Sequence, residues 1–315
     1  MTTLVTGANG FLGSALCTRL LRDGTSTRGV VRSLSSQTTD VKTLVVGGLS
    51  SVTDWTVAVA DVDQVVHLAA RVHVMKDKSA DPLAEFRRVN VDGTTNLAFQ
   101  AAAAGVRRFV YLSSIKVNGE FTEVGHYFSA DDAHAPEDPY SVSKHEAEQA
   151  LLQIAIDTGM EVVIIRPPLV YGPGVKANFE SMMRWLVHGV PLPLAAVTQN
   201  RRSLVALDNL VDLIITCLSH PAAANQTFLV SDGEDLSTAD LLRRTGVALG
   251  HPARLFYIPP SVLKISAQVV NKLGIYQRLC GSLQLDISKT RRLLGWTPPV
   301  SVDEGLRRAV ERFRA

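Results

Sequence analysis

The sequence predicts an α/β fold, a doubly wound parallel sheet followed by a smaller, less regular C-terminal domain. Three observations carry that expectation. Apolar runs of strand length alternate with amphipathic stretches of helix length, a glycine-rich turn joins the first such pair, and beyond Pro167 prolines and glycines break the pattern up. Strands are expected at residues 3–5, 28–31, 42–46, 62–68, 108–112 and 161–165, and helical spacing marks residues 15–21, 93–104 and 141–158. Strict alternation is the pattern of a parallel sheet covered on both faces by its crossover helices. The expected division is residues 1–165 and 166–315, with part of 200–220 returning to the first domain.

Composition bounds the function. With 315 residues, 46% of them hydrophobic and 20% charged, the chain can bury a full core. Its 32 basic and 30 acidic residues leave a net charge of +2, so no broad footprint for nucleic acid or an acidic membrane is expected and any anionic ligand must be met locally. Cys17, Cys217 and Cys280 lie too far apart to suggest a disulfide framework or a zinc site, which fits a reducing cytoplasm. No leader-like segment precedes the first strand and no run reaches the ~18 apolar residues of a membrane span. The eight histidines show no pairing with one another, with cysteine or with carboxylates at ligand spacing, so no metal is expected. Residues 261–273 have apolar side chains at helical spacing with only two lysines, and are expected to pack on their own domain.

Thr6-Gly7-Ala8-Asn9-Gly10-Phe11-Leu12-Gly13 follows a strand and opens a helix. Glycines so placed make the tight turn, admit a pyrophosphate close to the backbone and let helix and strand pack closely, while the helix N-terminus offers free N–H groups. The first two glycines are three apart, which departs from the G-x-G-x-x-G form and belongs to another branch of nucleotide binders. The reading is a Rossmann-type dinucleotide site. About 20 residues beyond the glycines an NAD-preferring site carries an acid, yet this chain has Val31-Arg32-Ser33 there. Arg32, with Ser33 and Ser35 as helpers, therefore reads as a 2′-phosphate contact, favouring NADP(H) with NAD(H) as the alternative.

Tyr140-Ser141-Val142-Ser143-Lys144 opens another helix, and positions four apart share a helix face, so the Lys144 ammonium is expected to lower the pKa of the Tyr140 phenol. The strand at 108–112 ends in Ser113-Ser114, and the carboxyl ends of parallel strands are where ligands bind.

Together the T-G-A-N-G-F-L-G start, His67-Leu68-Ala69-Ala70, Asn90-Val91-Asp92-Gly93-Thr94, Ser113-Ser114, the Tyr140/Lys144 pair and Arg166-Pro167-Pro168-Leu169-Val170-Tyr171-Gly172-Pro173-Gly174 resemble the extended short-chain dehydrogenases that act on nucleotide-linked sugars. The resemblance spans nearly the whole chain. It implies Tyr140 as general acid/base, Lys144 as its tuner and ribose contact, and Ser114 as the holder of the reacting oxygen, chosen over Ser113 because it stands five residues before Gly119. It implies cofactor contacts at Gly7, Asn9, Gly10, Phe11, Leu12, Gly13, Gly48, Leu49, Leu68, Ala69, Ala70, Asn90 and Pro167 beside Arg32, Ser33, Tyr140 and Lys144. For a UDP-sugar it implies Ser114, Lys116, Asn178 with Phe179, Leu192, Arg202 (or Arg201 beside it) and, weakly, Arg278. Family members are often homodimers through a four-helix contact, which the helices at 93–104 and 141–158 would supply.

Three chemistries compete within that resemblance. Sugar 4,6-dehydratases carry an Asp-Glu pair after the catalytic hydroxyl residue, where this chain has Ile115-Lys116, which argues against dehydration. The reading favoured from sequence is NADPH-dependent reduction of a UDP-linked 4-keto-2-acetamido-2,6-dideoxy sugar in surface-polysaccharide synthesis. The alternatives are a UDP-sugar 4-epimerase with bound NAD and a non-catalytic dinucleotide-binding protein.

Overall fold

The computed structural model describes residues 1–33, 41–72 and 80–314. Its strands are β1 (Thr2–Thr6), β2 (Ser26–Val31), β3 (Lys42–Val45), β4 (Gln64–His67), β5 (Arg108–Leu112), β6 (Glu161–Arg166), β7 (Leu169–Tyr171), β8 (Arg202–Ala206), β9 (Gln226–Leu229) and β10 (Asp235–Leu236). The helices are α1 (Phe11–Arg22), α2 (Thr56–Val59), α3 (Pro82–Arg87), α4 (Gly93–Ala103), α5 (Pro139–Thr158), α6 (Ala177–Val187), α7 (Leu207–Ser219), α8 (Thr238–Leu249), α9 (Pro260–Val269), α10 (Leu273–Cys280), α11 (Ser288–Leu294), α12 (Val302–Ala309) and α13 (Glu311–Arg314).

Seven strands form one parallel sheet in the order β3-β2-β1-β4-β5-β6-β9. Every residue of β4 is buried, as a strand covered on both faces requires. Leu97 and Ala101 of α4 and Leu151 and Ile154 of α5 pack on one face, while Leu16 and Leu20 of α1 and Leu210 and Ile214 of α7 pack on the other. The strand order reverses at β1 and β4, whose carboxyl ends therefore open a crevice between diverging crossovers.

The smaller domain is built on the sheet β10-β8-β7, against which α6, α8 and α12 bury Phe179, Met183, Leu242 and Leu306. The chain does not divide cleanly after residue 165. Residue 166 still belongs to β6, and β9 pairs with β6 as the seventh strand of the large sheet, bringing α7 with it. The return thus runs past 220, because a seventh strand covers an edge of the sheet that would otherwise stay open. Residues 261–273 break at Val270 into α9 and α10, neither of which contains a buried residue, although Leu263 packs partly buried against the small-domain core. Among the described residues no helix is long and apolar enough to cross a membrane.

Candidate active site

The turn after β1 forms a backbone cradle. Gly7 takes φ +67°, open to glycine at no steric cost, and a Cβ on Gly13 would lie 2.1 Å from the Gly7 carbonyl oxygen. Gly10 stands at the N-cap of helix α1 and no side chain caps it, which leaves the first N–H groups of the helix free for an anion. Behind the cradle lies a cleft of about 590 Å³ lined by Gly7, Asn9, Arg32, Ser33, Gly48, Leu49, Ala69 and Ala70, with Val31 and Trp55 among its apolar walls. That volume suits a cofactor site. Among the described residues no carboxylate lines it, while Arg71 and Arg88 join Arg32. Those two arginines were missed from sequence, although Arg71 directly follows the His67–Ala70 motif and Arg88 lies two residues before Asn90. Arg88 is paired with Glu85 at 2.8 Å and Arg71 stacks over Phe86, 5.4 Å from the ring centre. Ser35 lies outside the described residues. The cradle, the uncapped helix end and the cleft fit a dinucleotide.

Ser114, Tyr140 and Lys144 converge at the carboxyl end of β5. Ser114 caps a short 3-10 turn, its Oγ accepting from the Lys116 N–H at 3.3 Å, and its hydroxyl bonds to the Tyr140 phenol. Ser113, the competing serine, is buried with its Oγ unpartnered. Helix α5 is fixed by a capping box in which Asp138 Oδ1 accepts from the Ser141 N–H at 2.7 Å while Ser141 Oγ meets the Asp138 N–H, so Tyr140 enters at a set angle.

The electrostatics depart from the expected tuning. Burial drives the Tyr140 phenol up to about 12, reinforced by the charge of Asp138 and opposed only by the Ser114 hydroxyl. Lys144 does not relieve it, because its ammonium donates to the Leu112 carbonyl at 2.7 Å and the Tyr111 hydroxyl at 3.2 Å, and lies 4.4 Å over the Tyr111 ring. Burial lowers Lys144 itself to about 7, against the pull of Glu148.

A buried polar frame holds these groups. Asn90, read from sequence as a cofactor contact, is fully occupied: Oδ1 accepts from the Arg71 N–H at 2.8 Å, and Nδ2 donates to the Arg71 carbonyl and to Ser143 Oγ, both at 3.0 Å. It ties the cleft wall to the catalytic helix. His67 bridges Thr6 Oγ1 at 2.7 Å and Thr94 Oγ1 at 3.0 Å. Thr6 Oγ1 already accepts from the N–H groups of Leu68 and Ala69, so it donates to His67 Nδ1 and the ring proton sits on Nε2. Arg166 and Glu148, each 2% exposed, pair at 2.5 Å, and Arg166 also donates to Asn118 Oδ1 at 3.0 Å. Here the sequence expectation for histidines needs correcting. His134, His145 and Glu148 do meet, with His145 one helical turn from Glu148, but Arg166 takes both the carboxylate and His134 Nε2, making the cluster a salt-bridge network.

The residues read as substrate contacts scatter. Lys116 Nζ is held between Glu120 at 2.5 Å and Asp138 at 2.7 Å, so its charge is already spent inside the protein. Arg202 is half-buried, bonded to the Gly281 carbonyl at 3.2 Å and within the field of Glu120, whereas Arg201 is turned onto the carbonyls of Thr198 and Asn200. Leu192 is buried in the small-domain core and Asn178 is exposed on α6 beside buried Phe179. Arg278 is exposed, its Nε donating to the Gly274 carbonyl one turn back. Leu68 lies half-buried beside the cradle, Phe11 and Leu12 stand in the first turn of α1, and buried Pro167 accepts the Ile115 N–H at 3.0 Å.

Residues 3–231 match the NAD dependent epimerase/dehydratase family model. The chain is 49% identical to a UDP-glucose 4-epimerase of Vibrio cholerae over 98% of its own length and 94% of that protein. It is 32% identical to a UDP-glucose 4-epimerase of Mycolicibacterium smegmatis over 100% of its length and 99% of the relative. Among solved structures, MoeE5 in complex with UDP-glucuronic acid and NAD superposes with a TM-score of 0.79 at 26% identity, covering 100% of this chain and 99% of that one. The glycine cradle, the Ser114–Tyr140–Lys144 cluster and these likenesses agree, and the chain belongs to the NAD dependent epimerase/dehydratase family of extended short-chain dehydrogenase enzymes.

Proposed function

We propose that this chain is a UDP-sugar 4-epimerase. The observation that carries the reading is the Ser114–Tyr140–Lys144 cluster beside a dinucleotide cleft, in a chain that aligns at 49% identity along nearly its whole length with a UDP-glucose 4-epimerase. NAD, when bound, supplies the hydride acceptor for the sugar's C4. The protein's part is proton traffic: Tyr140 would take the C4 hydroxyl proton as that carbon is oxidised and give it back to the same oxygen when hydride returns to the opposite face of C4, while Ser114 holds that oxygen in place. Lys144, one helical turn beyond Tyr140 with its amine held by Leu112 and Tyr111, would meet the ribose. Arg202, half-buried and without an ion pair among the described residues, is the residue suited to the diphosphate.

The reductase reading favoured from sequence has less support, but one observation keeps it in view: among the described residues the cleft is lined by Arg32, Arg71 and Arg88 and by no carboxylate, an environment suited to the 2′-phosphate of NADP(H). Stoichiometry separates the two. Interconversion of UDP-glucose and UDP-galactose without added NADPH is the expected result; consumption of one NADPH per UDP-4-keto sugar without interconversion overturns it. Absence of turnover on either substrate leaves dinucleotide binding alone. Arg32→Ala is expected to weaken NADP binding by about tenfold, the equivalent of one charge-assisted hydrogen bond, with NAD little changed. We also propose a homodimer through α4 and α5, whose Phe99, Leu152 and Ile156 are exposed. A monomeric mass by light scattering would refute it.

A further inference from the structure

Residues 251–280 contain no buried residue. Helices α9 and α10 pack against one another and reach the small-domain core only through half-buried side chains such as Leu263, Leu279 and Cys280. Outward from those anchors, Val262, Ile265 and Val269 fall at i, i+3 and i+7 and form one stripe, with Val269 81% exposed. Phe256 and Tyr257 (71% exposed) continue the apolar surface at one end, and Leu273 and Ile275 at the other. Contiguous apolar area of this kind is rare on a soluble surface and marks a contact.

The charge pattern says what covers it. Between Asp240 and Asp286 the chain has no carboxylate, yet Arg254, Lys264, Lys272 and Arg278 all lie in the exposed stretch. Among the described residues none of these four forms an ion pair. A two-fold contact with a second copy would set this acid-free cationic face against itself, since such an interface is made of the same patch twice. An apolar stripe in a segment whose charged side chains are all cationic instead matches an anionic bilayer surface. Helix α9 has ten residues and spans about 15 Å at 1.5 Å per residue, so it can lie in an interface and cannot cross one.

We propose that α9 and α10, with the Phe256-Tyr257 segment, form a peripheral docking element for anionic membranes. The Val262/Ile265/Val269 stripe enters the boundary between headgroups and acyl chains, and the cations meet the lipid phosphates. The whole-chain balance of +2 hides this, because the acidic residues lie elsewhere.

The test is flotation of the full-length protein with vesicles of phosphatidylglycerol and phosphatidylcholine, or of phosphatidylcholine alone. Binding at least tenfold stronger to the anionic vesicles, weakened by high salt, is expected. Val262→Asp/Ile265→Asp should reduce binding to the level seen with phosphatidylcholine, and Lys264→Glu/Lys272→Glu should remove the anionic preference, with turnover in solution unchanged in both. Equal binding to the two vesicle types, or none to either, overturns the proposal. So does a change of oligomeric state in lipid-free Val262→Asp/Ile265→Asp, which would assign the face to a second copy, and so does a fall in turnover, which would make it a cover for the substrate.

Discussion

Tyr140 is the single group whose chemistry the reaction cannot replace. Its phenol is buried, bonded to Ser114 and pushed up to about 12, so it holds its proton firmly in the cofactor-free enzyme. Tyr140→Phe deletes that proton route and leaves the glycine cradle untouched. Turnover should fall by roughly 10²–10⁴-fold while dinucleotide binding, followed by fluorescence titration, is kept. Near-normal turnover would end the assignment. Lys144→Ala, by contrast, should damage binding and turnover together, because it removes a buried side chain bonded to Leu112 and Tyr111. The identity of these residues was legible because the Tyr-Lys spacing and the Ser at a strand end are local. Their acidities were not. Whether Lys144 addresses Tyr140 or Tyr111 depends on how β5 faces α5, and residues 111 and 144 share no local pattern. The partners of Asn90 and Lys116 were not legible for the same reason, since Arg71, Ser143 and Asp138 meet them only through tertiary placement.

At the scale of elements, six strands of the large sheet were readable, the central ones because both faces are buried and their apolar runs are continuous, and the edge strand β3, which has no buried residue, from its short apolar run alone. Strands β7 and β10, of three and two residues, are too short for any period to show. Helix α3 was missed although Asp81-Pro82 marks its start, with Asp81 accepting from the Ala84 N–H at 3.0 Å. The junction of β1 and α1 makes the firmest prediction. Gly13→Ala drives a methyl to 2.1 Å from the Gly7 carbonyl, backbone that cannot turn aside. A loss of ~1–3 kcal/mol in urea unfolding is expected, with cofactor affinity reduced beyond what stability explains. A variant binding cofactor normally would show that the cradle is looser than its geometry.

His67 joins β1, β4 and α4 and gives the fold an acid-sensitive joint. Burial, aided by the charge of Lys144, lowers it from 6.5 to about 3. Because its folded value is depressed, the unfolded chain binds the extra proton first. The stability contributed by neutral His67 is present above 6.5, is lost progressively as pH falls, and is gone by about 3. Unfolding free energy measured across that window should decline more steeply in the native protein than in His67→Asn, which keeps a hydrogen-bonding side chain and cannot titrate. Parallel slopes would remove His67 from the account.

Across the whole molecule, Arg166 stands where the large sheet hands over to the small domain, and its partners come from three separate regions: Glu148 on α5, Asn118 after the Ser114 turn and His134 in the loop before α5. Such a pair is expensive to desolvate, so its net contribution is small when complete and large and negative when broken. Glu148→Ala leaves a guanidinium buried at 2% exposure with no counter-charge. A cost of ~3–5 kcal/mol is expected for that single change, whereas Glu148→Leu/Arg166→Met, which removes both charges, should cost much less than the sum of its parts. The double variant also separates stability from chemistry. If the network positions Ser114 through Asn118, the refolded double variant will have a lowered kcat with KM for the nucleotide sugar little moved. Recovery of stability with full kcat would confine Arg166 and Glu148 to holding α5, β6 and the loops around Asn118 and His134 together.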